Sequence, residues 1–207
     1  MIFLGSRQFR QALFQLGMAI ALISAGPAAA QFGSPGYRFL EAVRDRDGTK
    51  ATELLDQSAI IINTREGQTG QTALLIVTAR RDLVWIRFML SRGADANAAN
   101  REGLTPLMQA ALLSFAEGAQ TLINGGARVN ASGSNGETPL HIAVQRRDLS
   151  MVRLLIAAGA DPDLQDNITG QSPRDYAARD TRATAVLAAL DERPATLVNT
   201  PRAAGPN

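Results

Sequence analysis

The chain has 207 residues, 45% apolar, 19% charged and 5% aromatic, with alanine and leucine abundant; this excludes a disordered polymer and favours packed helices over a β-sandwich. Its net charge of +2 comes from Arg7 and Arg10, since beyond residue 30 there are 19 basic residues against 19 acidic ones, so nothing electrostatic points to nucleic acid or an anionic membrane as partner. With no cysteine, disulfides, thiolate catalysis and zinc–thiolate sites are ruled out.

The first predicted element is a leader over residues 1–30. Arg7 and Arg10 form a basic region, Ala12 to Ala25 is an uncharged, mostly apolar run, and Gly26-Pro27 breaks it. Ala28-Ala29-Ala30 then presents the small residues that a signal peptidase reads, so cleavage is expected after Ala30. The apolar run is shorter than the roughly 20 residues a membrane span needs, which favours a cleaved signal over a retained anchor. The expected destination is the periplasm or the exterior.

Beyond the leader, a period of 33 governs the chain. Thr72, Thr105 and Thr138 are 33 residues apart, each two residues after Gly70, Gly103 and Gly136, and Ser172 follows Thr138 by 34. A second marker keeps step: Gly93-Ala94-Asp95, Gly126-Ala127-Arg128 and Gly159-Ala160-Asp161. Arg80-Arg81-Asp82-Leu83 recurs as Arg146-Arg147-Asp148-Leu149, 66 residues on. Independent markers sharing one period predict stacked, near-identical units.

Each unit reads as two short antiparallel helices and an extended loop. Thr138 caps the first helix through its hydroxyl, and Pro139 fits the first helical position, where an N–H has no intrahelical partner. Leu140, Ile142, Ala143 and Val144 give that helix an apolar side, and Arg147-Asp148 turns the chain. Met151, Val152, Leu154, Leu155 and Ile156 form the second helix, which Gly159 ends in the left-handed conformation. The polar stretch from Asp161 to Thr169 leads to the next unit as a turn-rich finger. Tyr37 to Ser58 and Ser172 to Leu190 are divergent, as end units of a solenoid should be. Arg193 to Asn207 carries three prolines and no periodicity, and is expected to be a disordered tail.

The segment Gly136-Glu137-Thr138-Pro139-Leu140-His141-Ile142-Ala143, closed by Leu154-Leu155-Ile156-Ala157-Ala158-Gly159-Ala160-Asp161, resembles the ankyrin repeat family. The resemblance implies an all-α solenoid of about five helix–turn–helix units with β-hairpin-like fingers. Its units are placed at about 36–69, 70–102, 103–135, 136–169 and 170–192. The unit from Gly103 departs from the pattern with Met108 and Gln109, and the unit from Gly70 has Ala73 in place of proline. Arg81 and Arg147 stand where the family often turns on glycine, at a cost of about 1 kcal/mol each if left-handed.

No catalytic residues, cofactor or metal are expected. His141, the one histidine, is read as the structural histidine of the repeat, bonding the neighbouring loop. Asp161, Asp163 and Asp166 do not match a calcium loop and are read as partners of turn amides. The resemblance instead implies a monomer that binds a protein partner along its concave face. Transferred to this chain, the contact strip runs through Arg65, Glu66, Gln71, Ala79 and Arg80, then Arg101, Glu102, Leu104, Leu112 and Leu113. It continues with Ser134, Asn135, Glu137, Gln145 and Arg146, and closes on Ile168, Thr169, Gln171 and Arg179. Leu104, Leu112 and Leu113 are apolar where neighbouring units have glutamine, glutamate or arginine, so the middle unit is expected either to carry an exposed contact patch or to be locally repacked. Phe115 beside them is expected either on that patch or turned inward, and Trp85 in the core. The resemblance further implies a partner class, since periplasmic bacterial members of the family are associated with stabilising other envelope proteins, including oxidative-stress enzymes such as catalase; the rival expectation is an effector delivered to a host protein.

Overall fold

The computed structural model describes residues 33–192; the leader, 1–30, and the tail, 193–207, lie outside the described residues. Ten α-helices follow one another: α1 (Pro35–Arg44), α2 (Gly48–Gln57), α3 (Ala73–Ala79), α4 (Leu83–Ser91), α5 (Pro106–Leu112), α6 (Ala116–Asn124), α7 (Pro139–Gln145), α8 (Leu149–Ala157), α9 (Pro173–Arg179) and α10 (Thr184–Leu190). A short 3-10 turn, Ala59–Asn63, follows α2. Helix starts are written in the sequence. Thr72, Thr105, Thr138 and Ser172 each accept a hydrogen bond from the backbone N–H three residues on, and prolines 106, 139 and 173 sit in the first turn. Asp47, Asp82 and Asp148 cap α2, α4 and α8 in the same way.

The helices pair as hairpins, and the hairpins stack. First helices α1, α3, α5, α7 and α9 form one row, and second helices α4, α6, α8 and α10 form another. Burial follows the period: Leu74, Leu107 and Leu140 occupy equivalent places at 0–1% exposure, and Met89, Leu122 and Leu155 do the same at 0%. A fully buried leucine contributes about 1.5–3 kcal/mol, so the repeated rows bind one continuous core across all units.

The fingers between hairpins contain no strand among the described residues. Each is closed by one backbone bond: Glu66 N–H to Gln71 O, Asn100 N–H to Leu104 O, Gly133 N–H to Glu137 O and Asp166 N–H to Gln171 O, at 2.8–3.0 Å. An asparagine ladder ties consecutive units. Asn97 donates to Gly126 O (3.0 Å) and accepts from Arg128 N–H (2.7 Å); Asn63 does the same to Gly93 and Asp95, and Asn130 to Gly159 and Asp161. One amide thus satisfies a donor and an acceptor left over at the following hairpin's end.

Arg81 and Arg147 are left-handed, with φ of 56° and 55°, and the equivalent turns at Arg46 and Ser114 are too (60° and 51°). A glycine there would remove the strain but also a contact with the next unit. Arg81 lies 5.1 Å from the Phe115 ring centroid, and Arg147 Nε is 2.7 Å from Asp180 Oδ2. Side-chain contact across the unit boundary offsets the local cost.

Two aromatic residues need comment. Phe115 is buried at 6% exposure and stands at the position where α2, α4 and α8 have their capping aspartate. Trp85, expected in the core, is half-buried and packs against the core from its edge. Ile86 and Met89, both at 0%, take the inward direction of α4, which turns Trp85 and Phe88 towards its outer flank, edge to face at 5.9 Å. With Val84 they line a cleft of about 290 Å³ against Arg46, Gly48 and Thr52.

Candidate functional site

The contact strip begins from finger geometry. Gly103 and Gly136 are left-handed (φ 80° and 82°), and an added Cβ would come within 2.5 Å of Ser134 N and Asn167 N respectively. Glycine therefore serves two ends here: the turn itself, and close approach of one finger to the next. Bonds between fingers use that proximity: Arg101 N–H to Thr69 O (3.0 Å), Ser134 Oγ to Glu102 O (2.8 Å) and Asn167 N–H to Asn135 O (2.9 Å).

Between the third and fourth units this arrangement opens a cleft of about 330 Å³. Seven residues of the expected strip line it: Glu102, Leu104, Leu112, Ser134, Asn135, Glu137 and Gln145. Met108 and Ile142, buried at 4% and 5%, supply apolar floor that the sequence reading missed. Leu112 is exposed at 37%, at the end of α5. Met108 occupies the place of His141 one unit earlier, and Gly133 leaves room for it, since a Cβ there would meet Met108 Cε at 2.9 Å. That departure from the repeat pattern was the available signal for the floor.

The rim is acidic and ordered. Glu137 accepts from Asn135 Nδ2 (2.5 Å) through Oε2 and from Gln145 Nε2 (2.6 Å) through Oε1, so both oxygens are held by neutral amides. Glu102 is exposed, and its side chain makes no hydrogen bond or ion pair among the described residues. No arginine or lysine lines the cleft.

The other strip residues lie elsewhere. Arg80 reaches back to the first unit, where Nη1 donates to Val43 O (2.6 Å) and Arg44 O (3.1 Å), closing the end of α1. Its Nε and Nη2 are buried without a hydrogen-bond partner, the guanidinium lies 5.9 Å from the Trp85 ring centroid, and burial, opposed by Asp82, lowers its pKa. Arg101 donates to Gly67 O. Leu113 caps α5, half-buried against the core. Arg146 is exposed after Gln145, outside the cleft lining. Of the outer strip, Arg65 donates to Ala99 O, Glu66 pairs with Arg44, and Ile168 is 76% exposed on the last finger.

His141 is fully buried. Thr138 N–H donates to its Nδ1 (3.1 Å), so Nε2 carries the proton and donates to Gln171 O (3.2 Å). The ring fastens its own helix start to the last finger. Asp166 accepts from Thr169 Oγ, from the N–H groups of Thr169 (2.6 Å) and Ile168 (2.8 Å), and from Tyr176 Oη (3.1 Å). These bonds, those from Thr169 foremost, hold its carboxyl far below the ordinary aspartate range. Among the described residues no group of three histidine, aspartate or glutamate side chains is placed to hold a metal. None of the described helices is long and apolar enough to cross a membrane.

A row of helical hairpins with glycine-hinged fingers, and an apolar cleft between two of them, defines a repeat scaffold for docking. The family model described as ankyrin repeats (3 copies) matches residues 39–133, 86–166 and 115–196. The chain belongs to the ankyrin repeat family, whose repeats mediate protein–protein interaction. It is 34% identical over 140 residues to a putative ankyrin repeat-containing protein of Treponema pallidum (strain Nichols), covering 67% of this chain and 39% of that one. It is 28% identical over 130 residues to the human transient receptor potential cation channel subfamily A member 1, covering 59% and 12%. A third relative, tyrosine-protein kinase HTK16 of Hydra vulgaris, is 31% identical over 139 residues, covering 66% and 18%. The chain thus spans well under half the length of these relatives, two of which are named for different activities, a cation channel and a kinase.

Proposed function

We propose that the protein is an exported, monomeric ankyrin-repeat adaptor that holds or stabilises a protein partner in the periplasm, without catalytic activity of its own. The observation that carries the docking part is the cleft between α5 and α7. Apolar side chains from two first helices meet a polar rim from two fingers, and Leu112 is left exposed there. An apolar centre with a polar rim is the anatomy of a protein contact. Support for export comes from the basic, apolar and small-residue order of residues 1–30.

Affinity capture from envelope extract, comparing the mature protein with Leu112→Asp, tests the docking. A specific partner recovered by the wild type and lost with the variant is the expected outcome; identical recovery by both refutes it. Cell fractionation tests the location, and protein found only in the culture medium would favour the secreted effector instead.

A further inference from the structure

The cleft between α5 and α7 has a chemical polarity that narrows its occupant. Its floor and one edge are aliphatic: Leu104, Met108, Leu112 and Ile142. Its charged lining is only acidic, from Glu102 on one finger and Glu137 on the next. Neither glutamate pairs with an arginine, unlike Glu66 with Arg44 or Asp180 with Arg147, and unlike the many aspartates that cap helices or turns they neutralise no backbone N–H cluster; they are the only charged groups lining the cleft. The basic residue next to Glu102 in sequence, Arg101, is turned away to the carbonyl of Gly67. Glu137 is held in a fixed orientation by two amides, which leave its charge uncompensated.

Resting on the docking reading above, we infer that this cleft receives a partner segment in which an aliphatic side chain stands beside a lysine or arginine. The aliphatic group enters between Leu104, Leu112 and Ile142, and the cation meets the carboxylates of Glu102 and Glu137. The ordered carboxylate favours recognition, because its side-chain freedom is already spent within the free protein. Complementary charge at the rim sets register and rejects acidic segments.

The test is selection of random 12-residue peptides displayed on phage against the full chain, with binders to Leu112→Asp depleted. Selected peptides are then synthesised and titrated by fluorescence anisotropy against the wild type, Glu102→Gln and Glu137→Gln. Peptides pairing a lysine or arginine with leucine, isoleucine, valine or methionine are expected, and each glutamine variant should weaken them about three- to tenfold. Unchanged far-UV circular dichroism of the variants keeps that loss assignable to the site. Failure to select any peptide, selected sequences lacking a cation, or affinities indifferent to both glutamates overturns the inference. Peptides that need Leu112 but ignore both glutamates leave the docking reading standing and remove only the cation. Equal protein capture by wild type and Leu112→Asp removes the docking reading itself.

Discussion

Gly118 lies inside α6, where alanine would ordinarily stabilise a helix by about 1 kcal/mol. Here the substitution Gly118→Ala is expected to destabilise. A Cβ at this position would fall 2.3 Å from both Cδ1 and Cε1 of Phe115, well inside contact distance. Phe115 is only 6% exposed, and Arg81 lies 5.1 Å from its ring centroid, so displacing the ring disturbs a packed unit boundary. Overpacking of this kind costs about 1–3 kcal/mol, against roughly 1 kcal/mol of helix preference regained. The net loss should be up to about 2 kcal/mol, or up to about 8 °C in Tm for a domain of this size. Urea unfolding followed by circular dichroism measures it. The companion variant Phe115→Asp removes the ring and restores the aspartate that caps α2, α4 and α8, so Gly118→Ala added to that background should raise stability by about 0.5–1 kcal/mol. A stabilising effect of Gly118→Ala in the wild-type background would refute the coupling.

Three further outcomes follow from the same contacts. Replacing His141 by leucine strands the buried Thr138 N–H and removes one of the two hydrogen bonds to Gln171 O, the other coming from Asp166 N–H, and should cost about 1–3 kcal/mol by urea titration. Asn97→Ala removes both rungs to Gly126 and Arg128 and should cost about 1–2 kcal/mol, with amide exchange rising at Arg128 before it rises in α3. Asp166, Asp175 and Asp180 all titrate below the ordinary aspartate range, through hydrogen bonds from Thr169, from Ser172 and from Arg182 N–H respectively. Their folded values are depressed, so the stability they confer is fully present above the unfolded value of about 4 and is lost progressively as pH falls from there through the folded values. The gap in urea midpoint between the wild type and Asp166→Asn should therefore narrow from pH 6 to pH 3 without closing.

The repeat architecture was legible because each cap, core leucine and finger glycine recurs at one spacing, so errors in a single unit do not propagate. Thr105, Leu107 and Gly126 identify their roles by comparison with Thr138, Leu140 and Gly159. What escaped were features belonging to one unit or to pairs of units. Trp85 sits at the core's edge because apolar character alone does not say which of α4's faces points inward; Ile86 and Met89 take that direction and leave Trp85 beside it. The asparagines at 63, 97 and 130 follow the period, but their function needs the next unit's carbonyl in space. Arg80 looked like a surface charge on a contact strip, whereas its guanidinium closes α1 from the following unit. The cleft itself was half legible: its rim is periodic, while its floor at Met108 and Ile142 forms only when two units stack.

Photocrosslinking in the intact cell, with a photoreactive residue placed at Leu112 on the concave face or at Val84 on the outer flank of α4, tests the docking claim most directly. Both positions are solvent-exposed, at 37% and 76%, so exposure favours the second. The account predicts a discrete protein adduct at Leu112 that is absent at Val84 and is competed by a peptide selected for the cleft. Adducts of equal yield at both positions, or none at Leu112, would contradict it.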